Sequence, residues 1–155
     1  MVIDQERIES VKAGTIAAAV GTAISLIFVA LDSVLAGDSF LVQAVLMRAI
    51  QRLAIAAVCC FLFGVTYRYI IRQDPNPHLR SGAVGAFALT RSLSQLEGLD
   101  LSALGLAEAW PLGLPIAESF GLFLTVRLVL DLGLKQRWLQ PFSTTPGHRH
   151  QAERP

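Results

Sequence analysis

Six ionisable side chains stand within or at the edges of apolar stretches, where charge is expensive: Asp32, Arg52, Arg91, Glu118, Arg127 and Asp131. A charge in hydrocarbon must be paired, neutralised or wetted. Each of the six is therefore a candidate for an ion or proton path, or for an interhelical ion pair. Arg127 and Asp131 are four residues apart, share a helix face and can neutralise each other. A helix carrying such a pair can insert; the second reading is a polar lining for an ion or proton path. Arg91 and Glu118 fall on successive apolar stretches at similar depth, the arrangement of a clamp between two helices. Asp32, at the end of the first apolar run, can meet Arg48 or Arg52 at the start of the second. At about 100° per residue, an ideal helix puts Glu118 about 180° from Arg127. One continuous polar face does not follow. Two separate clamps do, one toward the third stretch and one toward another helix.

The remaining reactive groups point to no reaction. Cys59 and Cys60 are helical neighbours directed about 100° apart, and no further Cys or His stands at zinc-ligand spacing. They read as small apolar side chains. Asp74, Asn76 and His78 share a proline-rich turn and read as turn chemistry. His148 and His150 are too few and too loosely spaced to hold a metal. No zinc-protease, Walker or nucleophile-elbow pattern occurs. The expectation is a non-enzymatic protein with no catalytic residue, no cofactor and no metal. A net charge of +1 and the lack of a basic stripe interleaved with aromatics exclude nucleic acid as a partner.

The elements that must position these charges are membrane helices. Residues 13–31 form a run of 19 without a charge, and residues 53–67 a second run of 15. Crossing a bilayer takes roughly 20 mainly apolar residues. The predicted fold is all-α: a polytopic membrane bundle of four transmembrane helices over residues 1–140, with spans at about 13–35, 49–71, 82–99 and 112–134. Residues 1–12 form a short amphipathic lead-in of mixed charge, and the first span is expected to be retained rather than cleaved. Residues 82–99 are the weakest span. Their apolar side chains contribute roughly −2 to −4 kcal/mol to insertion, against about +2.5 to +3.5 for a mid-span Arg91. That span needs partner helices or a paired Arg91; the competing reading is a re-entrant or surface helix. Residues 97–115 read as an acidic surface segment, with span four broken near Pro111 and Pro115. Residues 141–155 read as a disordered tail.

Lys and Arg alternate along the connections. The lead-in carries two of them (Arg7, Lys12), the segment after span two carries Arg68, Arg72 and Arg80, and the C-terminal tail carries Lys135, Arg137, Arg149 and Arg154, whereas residues 97–111 carry neither residue. The positive-inside rule then places both termini on the cytoplasmic side and residues 97–111 outside. It also favours four crossings where hydropathy is balanced. Span one carries small residues at intervals of four, Gly14 and Ala18 on one face and Ala17, Gly21 and Ser25 on another. Such a seam lets backbones approach closely, inside the bundle or toward a partner.

Residues 64–69 and 72–74 (Gly-Val-Thr-Tyr-Arg-Tyr, then Arg-Gln-Asp), followed by residues 82–91, resemble a family of small four-span membrane proteins of cyanobacteria and plastids. The resemblance covers roughly residues 10–142. It implies a thylakoid, plasma or plastid envelope membrane, and assigns no activity. The expected partners are the lipid bilayer and other membrane proteins or a second copy of the chain. The expected function is to pack with, assemble or stabilise a larger membrane complex, with a small oligomeric transporter as the alternative.

Overall fold

The computed structural model describes the backbone of residues 2–36, 42–73, 77–96, 110–136 and 138, and the side chains of 6–34, 46–71, 78–96, 113–136 and 138. It is all-helical. Helix α1 covers Val2–Ala36, α2 Val42–Gln73, α3 Pro77–Leu96 and α4 Trp110–Lys135. The acidic segment 97–109 and the tail 141–155 lie outside the described residues.

Among the described residues, three helices carry a stretch long and apolar enough to cross a membrane: Glu6–Val34, Leu46–Ile71 and Gly113–Lys135. Helix α3 does not meet that measure, because Arg80, Arg91 and several serines dilute its apolar residues. Its 20 residues nevertheless give a rod about 30 Å long, the thickness of a bilayer's hydrocarbon core.

Two sequence expectations are corrected. The lead-in and span one are a single helix that begins at Val2. Span four is also unbroken, running from Trp110 through both prolines. Pro111 falls in the first turn, where its missing N–H had no intrahelical partner to lose. Pro115 lies one turn further and removes a single backbone bond, which membrane helices tolerate.

Contacts fix the helix directions. Asp32 meets Arg52 while Glu6 meets Arg68, so α1 and α2 are antiparallel. Arg91 meets Glu118 while Ser81 meets Arg127, so α3 and α4 are antiparallel as well. The packing is inside-out relative to a water-soluble bundle. Large apolar side chains point outward on all four helices, among them Ile27, Val34, Met47, Val58, Leu93 and Leu128. The interior holds small residues (Ala13, Ala17, Ala88), serines (Ser10, Ser92, Ser119), two arginines (Arg68, Arg91) and an aromatic cluster. A water-soluble monomer rarely exposes apolar surface all round, whereas a bilayer requires it.

The small-residue series on α1 faces α2. A Cβ built on Gly14 would lie 2.8 Å from the Phe61 ring and 2.9 Å from Val65. One built on Gly21 would collide with Cys60, and one on Gly64 of α2 would lie 2.6 Å from the Ala17 Cβ. Ser25 is buried in the same series, and Ala18 is half-buried at its margin. At Gly64 the backbone of α1 itself comes closer than a side chain permits, whereas Gly14 and Gly21 make room for side chains of α2. Gly14, Ala17 and Gly21 are thus taken up inside the bundle and offer nothing to an outside partner.

Candidate functional site: two charge clusters around an aromatic layer

The first cluster draws one charged residue from each helix. Arg52 of α2 donates through Nη1 to Asp32 of α1 at 2.7 Å and through Nη2 to Glu118 of α4 at 2.9 Å. Arg91 of α3 donates through Nη2 to the other Glu118 oxygen at 3.0 Å. Both oxygens of Glu118 are therefore occupied, each by a different guanidinium. Arg91 is 3% exposed. Its Nη1 donates to Ser119 at 3.0 Å, and Gln95, with its amide oxygen turned inward, accepts from Nη1 at 2.8 Å and Nη2 at 3.2 Å. Among the described residues Arg91 Nε has no hydrogen-bond partner. Two arginines and two carboxylates cancel, which is what burial of this much charge requires.

The second cluster lies at the other end of the bundle. Tyr67 of α2 donates to Asp131 of α4 at 2.8 Å. Arg80 of α3 stands 3.9 Å from Asp131, and Arg127 stands 3.8 Å from it on the same helix. Those two distances are ion-pair separations rather than hydrogen bonds. Arg127 donates instead to Ser81 at 3.2 Å. Beside this group, Arg68 is 4% exposed and is held by α1 through the Glu6 carboxylate at 2.8 Å, the Glu6 carbonyl at 2.7 Å and Ser10 at 2.6 Å.

Sixteen residues separate Arg52 from Arg68, about 24 Å along α2; thirteen separate Glu118 from Asp131, about 20 Å along α4. The interval is filled by Phe63, Phe87 and Phe123, one from each of α2, α3 and α4. Their centroids are 5.3–5.7 Å apart, and Phe63 stacks on Tyr67 at 5.4 Å. Leu122, Val126 and Cys60 complete this layer, all fully buried. Tilted and edge-on ring pairs at such separations are favourable by about 0.5–1.5 kcal/mol each beyond their burial.

The structure therefore brings together Asp32 with Arg52, Arg52 with Glu118, Arg91 with Glu118, and Arg127 with Asp131. Arg48 is exposed on α2. The ideal-helix picture of α4 needs correction. Glu118 and Asp131 both reach α2 and α3 instead of different helices. The reason is that α4 packs against all three other helices, so a wide arc of its circumference faces protein.

Sequence reasoning missed Tyr67, Arg80, Ser119, Gln95 and the Glu6–Ser10–Arg68 group. Tyr67 looks like an interfacial aromatic and Arg80 like loop charge. Pairing either with Asp131 takes the helix packing. Tyr67→Phe is expected to lower stability by about 1 kcal/mol, the worth of one buried hydrogen bond. Unfolding in mixed micelles checks this, and an unchanged midpoint would remove the bond from the account.

A cavity of about 520 Å³ opens beside the first cluster. It is lined by Asp32, Gln51, Arg52, Arg91, Ser94, Gln95 and Glu118, with Ile55, Leu114 and Pro115 as its apolar side. No residue of the second cluster lines it. Among the described residues no group of three or more His, Cys, Asp or Glu could hold a metal ion. Comparison with protein-family models, with curated proteins and with solved structures gives no match.

Proposed function

We propose that the chain is a four-crossing integral membrane protein that packs with, assembles or stabilises a larger membrane complex, and that it performs no reaction. The observation that carries this reading is the outward face of α3 and α4. On α4, Gly113, Ala117, Gly121 and Thr125 recur every four residues and all are exposed. On α3, Gly82, Ala86 and Thr90 do the same. A Cβ on Gly82, Gly85, Gly113 or Gly121 would meet nothing within 4 Å. Small exposed residues gain little from lipid and allow a second helix to approach closely. Helix α3 by itself is also poorly suited to hydrocarbon, with Arg80 and Arg91 along its length.

The four-crossing arrangement is supported by α3 itself. It contributes Arg80 and Ser81 to one charge cluster and Arg91 to the other, so it extends through the same thickness as its neighbours. The charge pattern of the connections then puts both termini and the Asp131 cluster on the cytoplasmic side. The resemblance to cyanobacterial and plastid proteins makes a photosynthetic or envelope membrane the setting to examine first.

Transport is the second reading, and the cavity beside Arg52 favours it. The aromatic layer of Phe63, Phe87 and Phe123 separates that cavity from Asp131, and the charges on either side are tied to one another. A path through one copy would have to break both clusters and part the rings.

Photo-crosslinking tests assembly directly. A crosslinking residue at Ala117 or Gly121 is expected to capture a second membrane protein or a second copy in native membranes, while one at Ala17 captures only α2. Gly121→Leu should abolish the capture from Ala117 without lowering the stability of the isolated chain. Absence of crosslinks from both α4 positions, with a monomer in mild detergent, would overturn the reading.

A further inference from the structure

We propose that the cavity beside the first charge cluster binds a zwitterion: an oxyanion and a primary ammonium joined by a short linker and carrying no net charge. Its volume, about 520 Å³, lies in the range of small-molecule sites. Among the described residues, all four helices line it.

The charge balance selects the ligand class. Asp32, Glu118, Arg52 and Arg91 sum to zero and are already paired. A ligand with net charge would leave one charge uncompensated in poorly hydrated surroundings, which is costly. An uncharged polar ligand has nothing with which to replace an ion pair. A zwitterion can enter an ion pair by exchange: its oxyanion takes the guanidinium, its ammonium takes the carboxylate, and the alternation of charge is kept.

The pair available for exchange is Arg52 with Asp32. The Asp32 side chain is 57% exposed and that of Arg52 36%, against 11% for Glu118 and 2% for Arg91. The deeper Arg52–Glu118–Arg91 chain would stay in place and hold Arg52 while its other face receives the oxyanion. Guanidinium suits a carboxylate or phosphate, offering parallel N–H donors. Gln51, Ser94 and Gln95 supply further polar edges, and Ile55, Leu114 and Pro115 give an attached carbon chain an apolar surface. An ethanolamine phosphodiester has this chemistry, free in solution or as a lipid headgroup. No covalent step is involved.

Calorimetric titration of the detergent-solubilised full chain tests the inference. The probes are glycerophosphoethanolamine and short-chain phosphatidylethanolamine, with the matching phosphatidylcholine and phosphatidylglycerol as comparators. Saturable binding of the ethanolamine forms is expected. The choline lipid should bind about tenfold more weakly, because a quaternary ammonium offers Asp32 no N–H. Asp32→Asn should weaken the ethanolamine forms by about tenfold and erase the preference over choline, while the melting temperature shows the Arg52–Glu118–Arg91 chain intact. Binding of both ethanolamine forms supports a soluble-zwitterion site, and binding of the lipid alone supports a headgroup site. Equal binding of all three lipids, undiminished binding by Asp32→Asn, or no binding of either ethanolamine form would overturn the proposal.

Discussion

Replacing Glu118 with alanine is expected to destabilise the bundle by about 3–5 kcal/mol, the range for removing one partner from a buried ion pair. Its two oxygens receive Arg52 and Arg91 at 2.9 and 3.0 Å. Arg52 would keep Asp32. Arg91, 3% exposed, would keep only the neutral oxygens of Ser119 and Gln95. Arg91→Leu is the informative contrast. It removes the guanidinium whose insertion costs about 2.5–3.5 kcal/mol, and it leaves Glu118 paired with Arg52. The arginine variant should therefore insert and remain folded, and the glutamate variant should be the worse of the two. Equilibrium unfolding of both single variants and the double variant gives the coupling, expected at about 1–3 kcal/mol. Independent effects at positions 91 and 118 would remove this pair from the account.

The second large effect is expected at Gly64. A Cβ there would lie 2.6 Å from the Ala17 Cβ, 2.7 Å from the Ala13 carbonyl oxygen and 3.0 Å from the Gly14 Cα. Two of those atoms are backbone and cannot rotate away, so α1 and α2 must separate along their closest approach. Gly64→Ala should cost about 1–3 kcal/mol, as overpacking does. Gly21→Ala should cost less, since its obstacle is the Cys60 side chain. Gly82→Ala and Gly121→Ala meet open space, and should leave the isolated chain unchanged or up to about 1 kcal/mol more stable through helix propensity. Thermal unfolding of the four variants gives the order directly. A neutral Gly64→Ala would mean that the helices are further apart than described.

What the sequence discloses follows from what is local in it. Long uncharged runs announce α1 and α2, and the proline-rich stretch marks where α3 starts, at Pro77. Depth arithmetic alone is enough to bring Arg91 and Glu118 to one level. Helix rotation is different, because it depends on which neighbours a helix acquires. An isolated α4 has one interior face, whereas α4 among three helices has a broad one, so Glu118 and Asp131 both reach α2 and α3. The aromatic layer carries a faint signal. Phe87 and Phe123 stand near the middle of the interval between charges on their own helices, and Phe63 within the uncharged interval of α2. The continuity of α4 through Pro115 carries none, since proline is ordinarily a reason to end a helix. The direction of the small-residue seam was also open in the sequence. Only packing decides that the seam of α1 faces α2 while the series Gly82, Ala86, Thr90 of α3 and Gly113, Ala117, Gly121, Thr125 of α4 face outward.

The central claim is that α3 crosses the bilayer with the other three helices, so that each charge cluster lies toward one surface. Sidedness of the two segments flanking α4 tests this most directly. Single cysteines at Ser102 and Thr144, in a chain with Cys59 and Cys60 replaced by alanine, are exposed in sealed vesicles to a membrane-impermeant maleimide. Four crossings predict that position 102 is labelled from the outer side and position 144 from the cytoplasmic side. Labelling of both from the same side would contradict a four-crossing bundle.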